Sequence, residues 1–327
     1  MEKTKAMLVV FISLALLSGC ADGYDSPDGF DLGVRNTQMK TPEQKDITFT
    51  VSTDGTTATL SWPLVAGASG HEVTFANVDN PDSPVIVDGY DKKIVDGSKF
   101  TVHVAEDSKY QLTMRTLGNR KLGNTDDPEA KNYSYSTLVP SVATIPSGSD
   151  ISQFIQENPV VYTEDEVAIE LEPGGEYTMS APVDFSKQKI TFRGDKMHRP
   201  IVKLNGDAHF ETYSSLKVKF VNFDLSESTA GGFIAMSKDN LPDSILSENR
   251  GYERNGSLIK GIYVDEEPIY IAHCWFKNLP HAMLYDNEVN CAFWAFTLSD
   301  CIVQMRNDTK SNIEGVSKHS LKKITKP

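Results

Sequence analysis

The side chains able to do chemistry gather in the second half of the chain. Five carboxylates there, Asp195, Asp265, Glu266, Glu267 and Asp286, offer the hard oxygen donors that calcium prefers. Three of them run together as Asp265-Glu266-Glu267, directly before the apolar pair Ile269/Ile271, where a calcium site would form. The same run also reads as a solvated acidic turn. His273, His281 and His319 have no partners at the spacing of a nucleophile–base–acid triad. Cys274, Cys291 and Cys301 make no Cys/His pair of zinc spacing. No set of aspartates recurs at an interval that would bring two or three together for acid–base hydrolysis. No catalytic residue is assigned.

Cations and aromatic rings form the second group. The stretch 187–203 holds Lys187, Lys189, Arg193, Lys196, Arg199 and Lys203 against one acid, Asp195. That reverses the sign of a chain whose net formal charge is −13. Further on stand Lys217, Lys219, Tyr270 and Trp275. Guanidinium and ammonium groups pair with uronate carboxylates, and rings stack on sugar faces. Arg193, Lys217, Lys219, Tyr270 and Trp275 are thus candidates for gripping a glycan, provided the fold puts them on one face. An ordinary solvated charged face accounts for the same residues.

The elements that would position them are short strands. Apolar pairs recur as Val167/Ile169, Ile190/Phe192, Leu216/Val218, Ile269/Ile271 and Phe296/Leu298. The steps between pairs are 23, 26, 53 and 27. The longest step, from Leu216 to Ile269, reads as two turns of the repeat, with one coil placed near Leu241–Leu246. Short strands repeating at this interval, with no helical periodicity, require stacking, because one coil cannot bury its apolar face alone. The expected fold of residues 160–310 is a parallel β-helix of about six coils. Alternation then sends Thr191, Arg193, Lys217, Lys219, Tyr270, Thr297 and Ser299 outward, and Trp275 outward between inward Cys274 and Phe276. Cys274 and Cys301 each follow the first residue of an apolar pair by five positions, which makes them ladder neighbours one coil apart. A reduced, buried pair is the expected state, although the strand spacing of about 4.8 Å also admits a disulfide.

The N-terminal half divides differently. Lys3 and Lys5 precede the apolar run Met7–Leu17, which is too short to span a bilayer needing about 20 residues. Residues 1–19 read as a signal peptide. Residues 20–45 read as an acidic, flexible tether. Residues 46–140 alternate in the manner of a small β-sandwich: Ile47/Phe49/Val51, Ala58/Leu60/Trp62, Val73/Phe75, Phe100/Val102/Val104, Tyr110/Leu112/Met114, and a last strand within Tyr133–Val139. Residues 141–159 read as a linker and capping helix. Its capping box is placed at Ser147–Asp150, its apolar face at Ile151, Phe154 and Ile155, and its stop at Asn158-Pro159. Residues 311–327 are a basic polar tail.

The segment 1–19 carries one net positive charge, so the remainder carries −14. Such acidity argues against nucleic acid as a partner. No second long apolar segment follows the first. Apart from Cys20 the cysteine count is odd, which is not a disulfide framework.

Four resemblances sharpen these readings. Leu17-Ser18-Gly19-Cys20 resembles the lipobox of bacterial lipoproteins. It implies cleavage before Cys20, acylation of that cysteine (palmitate-type chains) and stable membrane attachment, since several acyl chains anchor where one is marginal. The acidic residues Asp22, Asp25, Asp28 and Asp31 after it resemble the export signal of surface-exposed glycan-utilisation lipoproteins. Trp62 and Tyr110 match the core tryptophan and tyrosine of fibronectin type III domains, a spacer or docking module of immunoglobulin-like fold. Leu171-Glu-Pro-Gly-Gly-Glu-Tyr177 and Ile190-Thr-Phe-Arg-Gly194 resemble the opening coils of the pectin-lyase-like, right-handed parallel β-helix families. Together the order resembles glycan-locus outer-membrane lipoproteins of unassigned function. The all-β fold class is thus an immunoglobulin/fibronectin III-like sandwich followed by a right-handed parallel β-helix. After about Met305 the repeat stops: either the tail covers the exposed edge, as edges require, or the chain is truncated relative to those families.

The function implied is a surface-anchored lipoprotein that binds polysaccharide, pectic or otherwise acidic, without catalysis, beside other outer-membrane glycan-uptake proteins. The alternatives are a polysaccharide lyase or glycoside hydrolase of the pectin-lyase-like type, and a structural or adhesion protein.

Overall fold

The computed structural model describes residues 34–238, 241–246, 249, 253–254, 256–258, 262–264, 268–287, 291–293, 295–306 and 313–314. Cys20, the signal segment, Asp265, Glu266, Glu267, His319 and all of the basic tail except Ile313–Glu314 lie outside the described residues. Two compact units divide the chain, Met1–Thr137 and Leu138–Pro327. No helix among the described residues is long and apolar enough to cross a membrane.

The first unit is an antiparallel sandwich. Strands β1 (Thr48–Val51), β2 (Thr57–Ser61), β3 (Ala68–Asn77), β4 (Val85–Ile86), β5 (Lys93–Val95), β6 (Lys99–His103), β7 (Lys109–Gly118) and β8 (Lys131–Ser136) form it. One sheet runs β1-β2-β6, the other β4-β3-β7-β8, with β5 also on β3. Period-two alternation turns Ala58 and Leu60, Val73 and Phe75, Phe100 and Val102, and Tyr110, Leu112 and Met114 into one shared core. Trp62 lies in that core, edge-on to Phe100. Tyr110 stacks on Phe75, and its hydroxyl accepts the Ala105 amide hydrogen at 2.7 Å. This is the corner arrangement expected of an immunoglobulin-like fold.

The expected tether is shorter than its composition implies. Met39 and Thr41 are buried. The Thr41 amide donates to Asp127 Oδ2 at 2.7 Å, and the Thr37 amide to Asn124 Oδ1 at 3.0 Å. A polar segment stays on a surface when its backbone groups find partners there. Those partners are far away in sequence, so local composition could not reveal them.

The second unit is a parallel β-helix. Its first rung, β9 (Ser141–Ile145), occupies part of the expected linker. Ile145 is fully buried, and β9 pairs in parallel with the next coil. Helix α1 (Ile151–Glu157) follows. Its N-cap is Asp150, whose carboxylate accepts the Gln153 amide hydrogen at 3.0 Å; the capping box expected from Ser147 does not form. Ile151 is buried and Phe154 and Ile155 pack on the β-helix core, so the helix covers apolar surface that the first coil would otherwise expose.

Each coil then supplies three strands. They are β10 (Val167–Leu171), β11 (Glu176–Met179) and β12 (Val183–Asp184); β13 (Ile190–Arg193), β14 (Ile201–Gly206) and β15 (Phe210–Thr212); and β16 (Leu216–Lys219), β17 (Asn222–Ser228) and β18 (Gly232–Met236). After β19 (Glu253–Arg254), β20 (Ser257–Leu258) and β21 (Ile262–Val264) come β22 (Ile269–Ala272), β23 (Trp275–Leu279) and β24 (Ala282–Tyr285). The last are β25 (Cys291–Phe293), β26 (Phe296–Ser299), β27 (Ile302–Met305) and β28 (Ile313–Glu314). The first sheet stacks β9-β10-β13-β16-β22-β26, the second β11-β14-β17-β23-β27, and the third β12-β15-β18-β24-β28.

The five apolar pairs stand in one register. Val167 faces Ile190, Ile190 faces Leu216, Leu216 faces Ile269, and Ile269 faces Phe296. The long step from Leu216 to Ile269 therefore hides no coil. β16, β17 and β18 pair directly with β22, β23 and β24, so the segment between β18 and β22 is an excursion that adds no strand to these three sheets among the described residues. Within that excursion β19 and β20 form a hairpin, and β21 pairs with β25. Period counting cannot separate a missing coil from an excursion, because both restore the same register.

Inside, Phe192, Phe210, Phe223, Phe233 and Phe276 form a contiguous aromatic stack, with centroid separations of 4.6 Å for Phe223–Phe233 and 5.2 Å for Phe223–Phe276. Each such ring contributes roughly 1.5–3 kcal/mol of burial. The corner from the first to the second sheet is made by Phe220, His273 and Asp300, all left-handed at φ 50–58°. Such a conformation in three non-glycine residues is held by the surrounding coils, not by local preference. The Phe220 and His273 rings stack at 5.1 Å, one coil apart.

Candidate functional site

The outward columns of the first sheet hold most of the expected cationic grip. Beside the inward pairs run Ala168, Thr191, Lys217, Tyr270 and Thr297, and then Glu170, Arg193, Lys219, Ala272 and Ser299. These side chains leave the core, yet several are not open to a ligand. Arg193 and Lys219 are 3% and 6% exposed, and Thr191 is fully buried. Arg193 donates to Glu170 Oε1 from Nη2 at 2.6 Å and from Nε at 3.0 Å. Lys217 Nζ meets Glu166 Oε2 at 2.5 Å, and Thr191 bonds the other oxygen of the same carboxylate. Lys219 lies 5.4 Å from the centre of the Tyr270 ring, in cation–π range. Arg193 and Lys217 thus form an internal charge ladder with glutamates of the first coil, and Lys219 is covered beside a ring. Strand alternation predicts direction, but it says nothing about what covers a side chain or pairs with it.

The basic stretch 187–203 is likewise divided. Lys196 stands 5.6 Å from the Phe220 ring, and Lys203 lies on the second sheet, 4.0 Å from Glu176. Asp195 caps its own turn, accepting the Met197 and His198 amides at 2.9 and 2.8 Å. Among the described residues no three His, Cys, Asp or Glu side chains gather as a metal site.

Trp275 is on the second sheet and shares no face with Arg193 or Tyr270. It opens β23 between Cys274 (1% exposed) and Phe276 (fully buried), and is itself 44% exposed. In register above and below it stand Asn222 and Ile302, and Ile201 lies beyond Asn222. Ile201 and Ile302 are 39% and 65% exposed. From Ile201 to Ile302 the column spans about 14 Å at strand spacing. The next outward column carries Thr178, Lys203, Asp224 and Lys277 in register. Burial raises the Asp224 carboxyl, but the hydroxyl and amide of Ser226, with Lys277 and Lys203, outweigh it and hold the group below its ordinary value. Asp224 therefore stays ionised beside Lys277, at 3.8 Å. Arg306 braces this coil by donating from Nη2 to the carbonyls of Leu225 and Ser228 at 2.7 and 2.9 Å.

Cys274 and Cys301 are both free thiols, one buried and one half-buried. The Cys274 amide donates to Cys301 Sγ at 3.4 Å. Burial pushes the Cys274 thiol well up, whereas the hydrogen bond from Cys274 holds Cys301 below its ordinary value.

The third sheet carries residues the sequence reading did not single out. Asp184 and Glu211 pair in register on adjacent coils. Asp207, His209, Glu211 and Tyr285 lie around a cleft. Their one sequence signal is that Asp184 and Glu211 each follow an inward residue, Val183 and Phe210, one turn of the repeat apart.

Comparison with known proteins adds two family matches. Residues 1–176 match DUF4992, a domain of unknown function, and residues 175–314 match DUF4957, also a domain of unknown function. No curated protein matches the chain. Among solved structures the chain is similar to the family 28 exopolygalacturonase of Yersinia enterocolitica, at 12% identity over 79% of this chain and 59% of that one, with a TM-score of 0.25. It spans 59% of that enzyme's length. It is also similar to the pectate lyase PelI of Erwinia chrysanthemi, solved with tetragalacturonic acid, at 8% identity over 80% of this chain and 91% of that one (TM-score 0.20). A third is the pectate lyase Pel3 of Pectobacterium carotovorum, at 9% identity over 81% and 78%, with a TM-score of 0.16. The DUF4992 match covers more than half of the sequence, and the chain belongs to that family.

Proposed function

We propose that this chain is an exported lipoprotein, anchored in the outer membrane through Cys20, that binds polysaccharide on the second sheet of its β-helix. The observation that carries the reading is Trp275. A large ring 44% exposed on a sheet face adjoins Ile302, 65% exposed, and lies one residue, Asn222, from the exposed Ile201, and clustered exposed apolar groups mark contact surfaces. Asn222, Asp224 and Lys277 flank it with hydrogen-bonding groups. An amphipathic ligand with flat apolar faces and hydroxyl edges, as sugar rings have, matches that lining. The fibronectin type III-like sandwich serves as the spacer between anchor and ligand.

The test is affinity electrophoresis of the chain from residue 21 on pectic and hemicellulosic glycans, with a parallel assay for unsaturated uronate absorbance. Retardation without product, lost in Trp275→Ala, is the expected result. Retardation that survives Trp275→Ala removes the second sheet as the binding face, and calcium-dependent product formation would make the protein a lyase.

A further inference from the structure

The third sheet has a cleft of about 270 Å³ on its outer side. Asp207, His209, Glu211, Lys238, Tyr285 and Asn287 line it. Its volume falls just below the roughly 300 Å³ at which small-molecule pockets begin. It admits one ring and not a length of chain.

The walls are set by the coil geometry. Glu211 comes from β15, Tyr285 from β24, and the floor from Gly231 and Gly232 at the start of β18. A Cβ on Gly231 would stand 2.9 Å from Tyr285 Cε1, and one on Gly232 would stand 2.6 Å from Tyr285 Cβ. Only the absence of side chains there lets Tyr285 settle on the floor. Asn287 is held by its amide, which donates to the Met236 carbonyl at 3.1 Å.

His209 is 8% exposed and engaged at both ring nitrogens. Nδ1 lies 2.6 Å from the Asp207 carbonyl and Nε2 lies 3.1 Å from Glu211 Oε1. Both partners are acceptors, so the ring is locked in place and fixes the Glu211 carboxylate by one oxygen. Glu211 Oε2 is then the oxygen available to a ligand. Carboxylates at the edge of an aromatic wall accept hydrogen bonds from neighbouring hydroxyls, and Asn287 adds an amide at the far side.

We infer that this cleft is a binding site for a single uncharged sugar residue, a neutral hexose at a chain end or branch. The inference takes its ligand class from the polysaccharide reading but rests on a different sheet and different residues. Asp207 and Glu211 would repel a uronate, and Lys238 together with a His209 ring that donates to two acceptors would repel an amino sugar, so the lining favours an uncharged ring. The acidic-glycan expectation drew on Arg193, Lys217 and Lys219, which already pair with glutamates or stack on a ring.

The experiment is saturation-transfer NMR on the full chain in detergent. Methyl glucoside, methyl galactoside and methyl mannoside are compared with galacturonic acid, glucuronic acid and glucosamine, with polymer retardation measured in parallel. At least one neutral glycoside is expected to bind, with each charged sugar at least tenfold weaker in competition. Tyr285→Ala and Glu211→Gln should each weaken the neutral ligand at least tenfold. Glu211→Gln keeps the shape of the site and serves if Tyr285→Ala fails to fold. A uronic acid or glucosamine binding as tightly overturns the inference, as does neutral binding that ignores both variants, or no sugar binding at all. Polymer retardation without monosaccharide binding sinks the cleft and leaves the Trp275 reading standing. Monosaccharide binding without retardation does the reverse.

Discussion

Trp62 donates its indole Nε1 hydrogen to His71 Nε2 at 3.0 Å inside the sandwich core. The other ring nitrogen, Nδ1, meets Thr116 Oγ1 at 3.0 Å. Nε2 must therefore be unprotonated, and the ring neutral. Burial lowers the His71 pKa from 6.5 to about 4.

The sign of the resulting pH dependence follows. Between pH 6.5 and 4 the unfolded chain binds a proton that the folded chain refuses, so stability is complete above pH 6.5 and falls as pH drops towards 4. The loss reaches roughly 3 kcal/mol. Urea unfolding at pH 7.5, 5.5 and 4.5, monitored by tryptophan fluorescence, is expected to show it. His71→Gln should flatten the slope; an unchanged slope would assign the effect elsewhere.

The Glu170–Arg193 pair predicts a structural phenotype without a binding one. Removing Glu170 strands a guanidinium that is 4% exposed and whose Nη1 has no partner among the described residues. Glu170→Ala is expected to destabilise the β-helix by about 3 kcal/mol, the low end for a broken buried pair because Glu170 is itself a third exposed. Glycan retardation should not change when measured well below the new melting temperature. Weakened retardation there would return Arg193 to the ligand.

The two free thiols should differ in reactivity. Cys301 is half-buried, with its thiol held down by Cys274, whereas burial protonates Cys274. Iodoacetamide on the native chain, followed by peptide mass spectrometry, is expected to label Cys301 at least tenfold faster, since the thiolate is the nucleophile. Adjacent strands, about 4.8 Å apart, also place their Cα atoms within the roughly 4.4–6.8 Å window of a disulfide. Mild oxidation should link the two and block that labelling. Equal labelling of both would contradict the asymmetry.

Phe276 is fully buried against Phe223 and Phe233. Phe276→Ala is expected to cost about 3–5 kcal/mol, as large-to-small changes in packed cores do. Phe276→Leu should cost less than half as much. Thermal unfolding of both variants measures this, and a loss under about 1 kcal/mol in the alanine variant would mean the coils collapse freely around the gap.

Inward and outward positions were legible where alternation was strict, except that Leu298 of the last pair is 38% exposed. The pairs from Val167/Ile169 to Phe296/Leu298 stack in the predicted register because a period of two leaves one apolar face, and that face has one place to go. Trp275 stands outward between Cys274 and Phe276 for the same reason. The excursion before Ile269, the docking of residues 34–46 and the rung at Ser141–Ile145 were not legible. Each depends on partners distant in sequence.

The amino-acid sequence by itself determined the first-sheet strands from Val167 to Phe296 and their register, and the apolar faces of the main sandwich strands, because burial of apolar surface acts residue by residue. Only the tertiary structure decided which outward groups remain free. It paired Arg193 with Glu170 and Lys217 with Glu166, put Trp275 on a separate sheet, and assembled His209, Glu211 and Tyr285 around one cleft. Ion pairing, coverage and concavity are properties of neighbouring coils, and a coil's neighbours lie at least a whole turn of the repeat away along the chain.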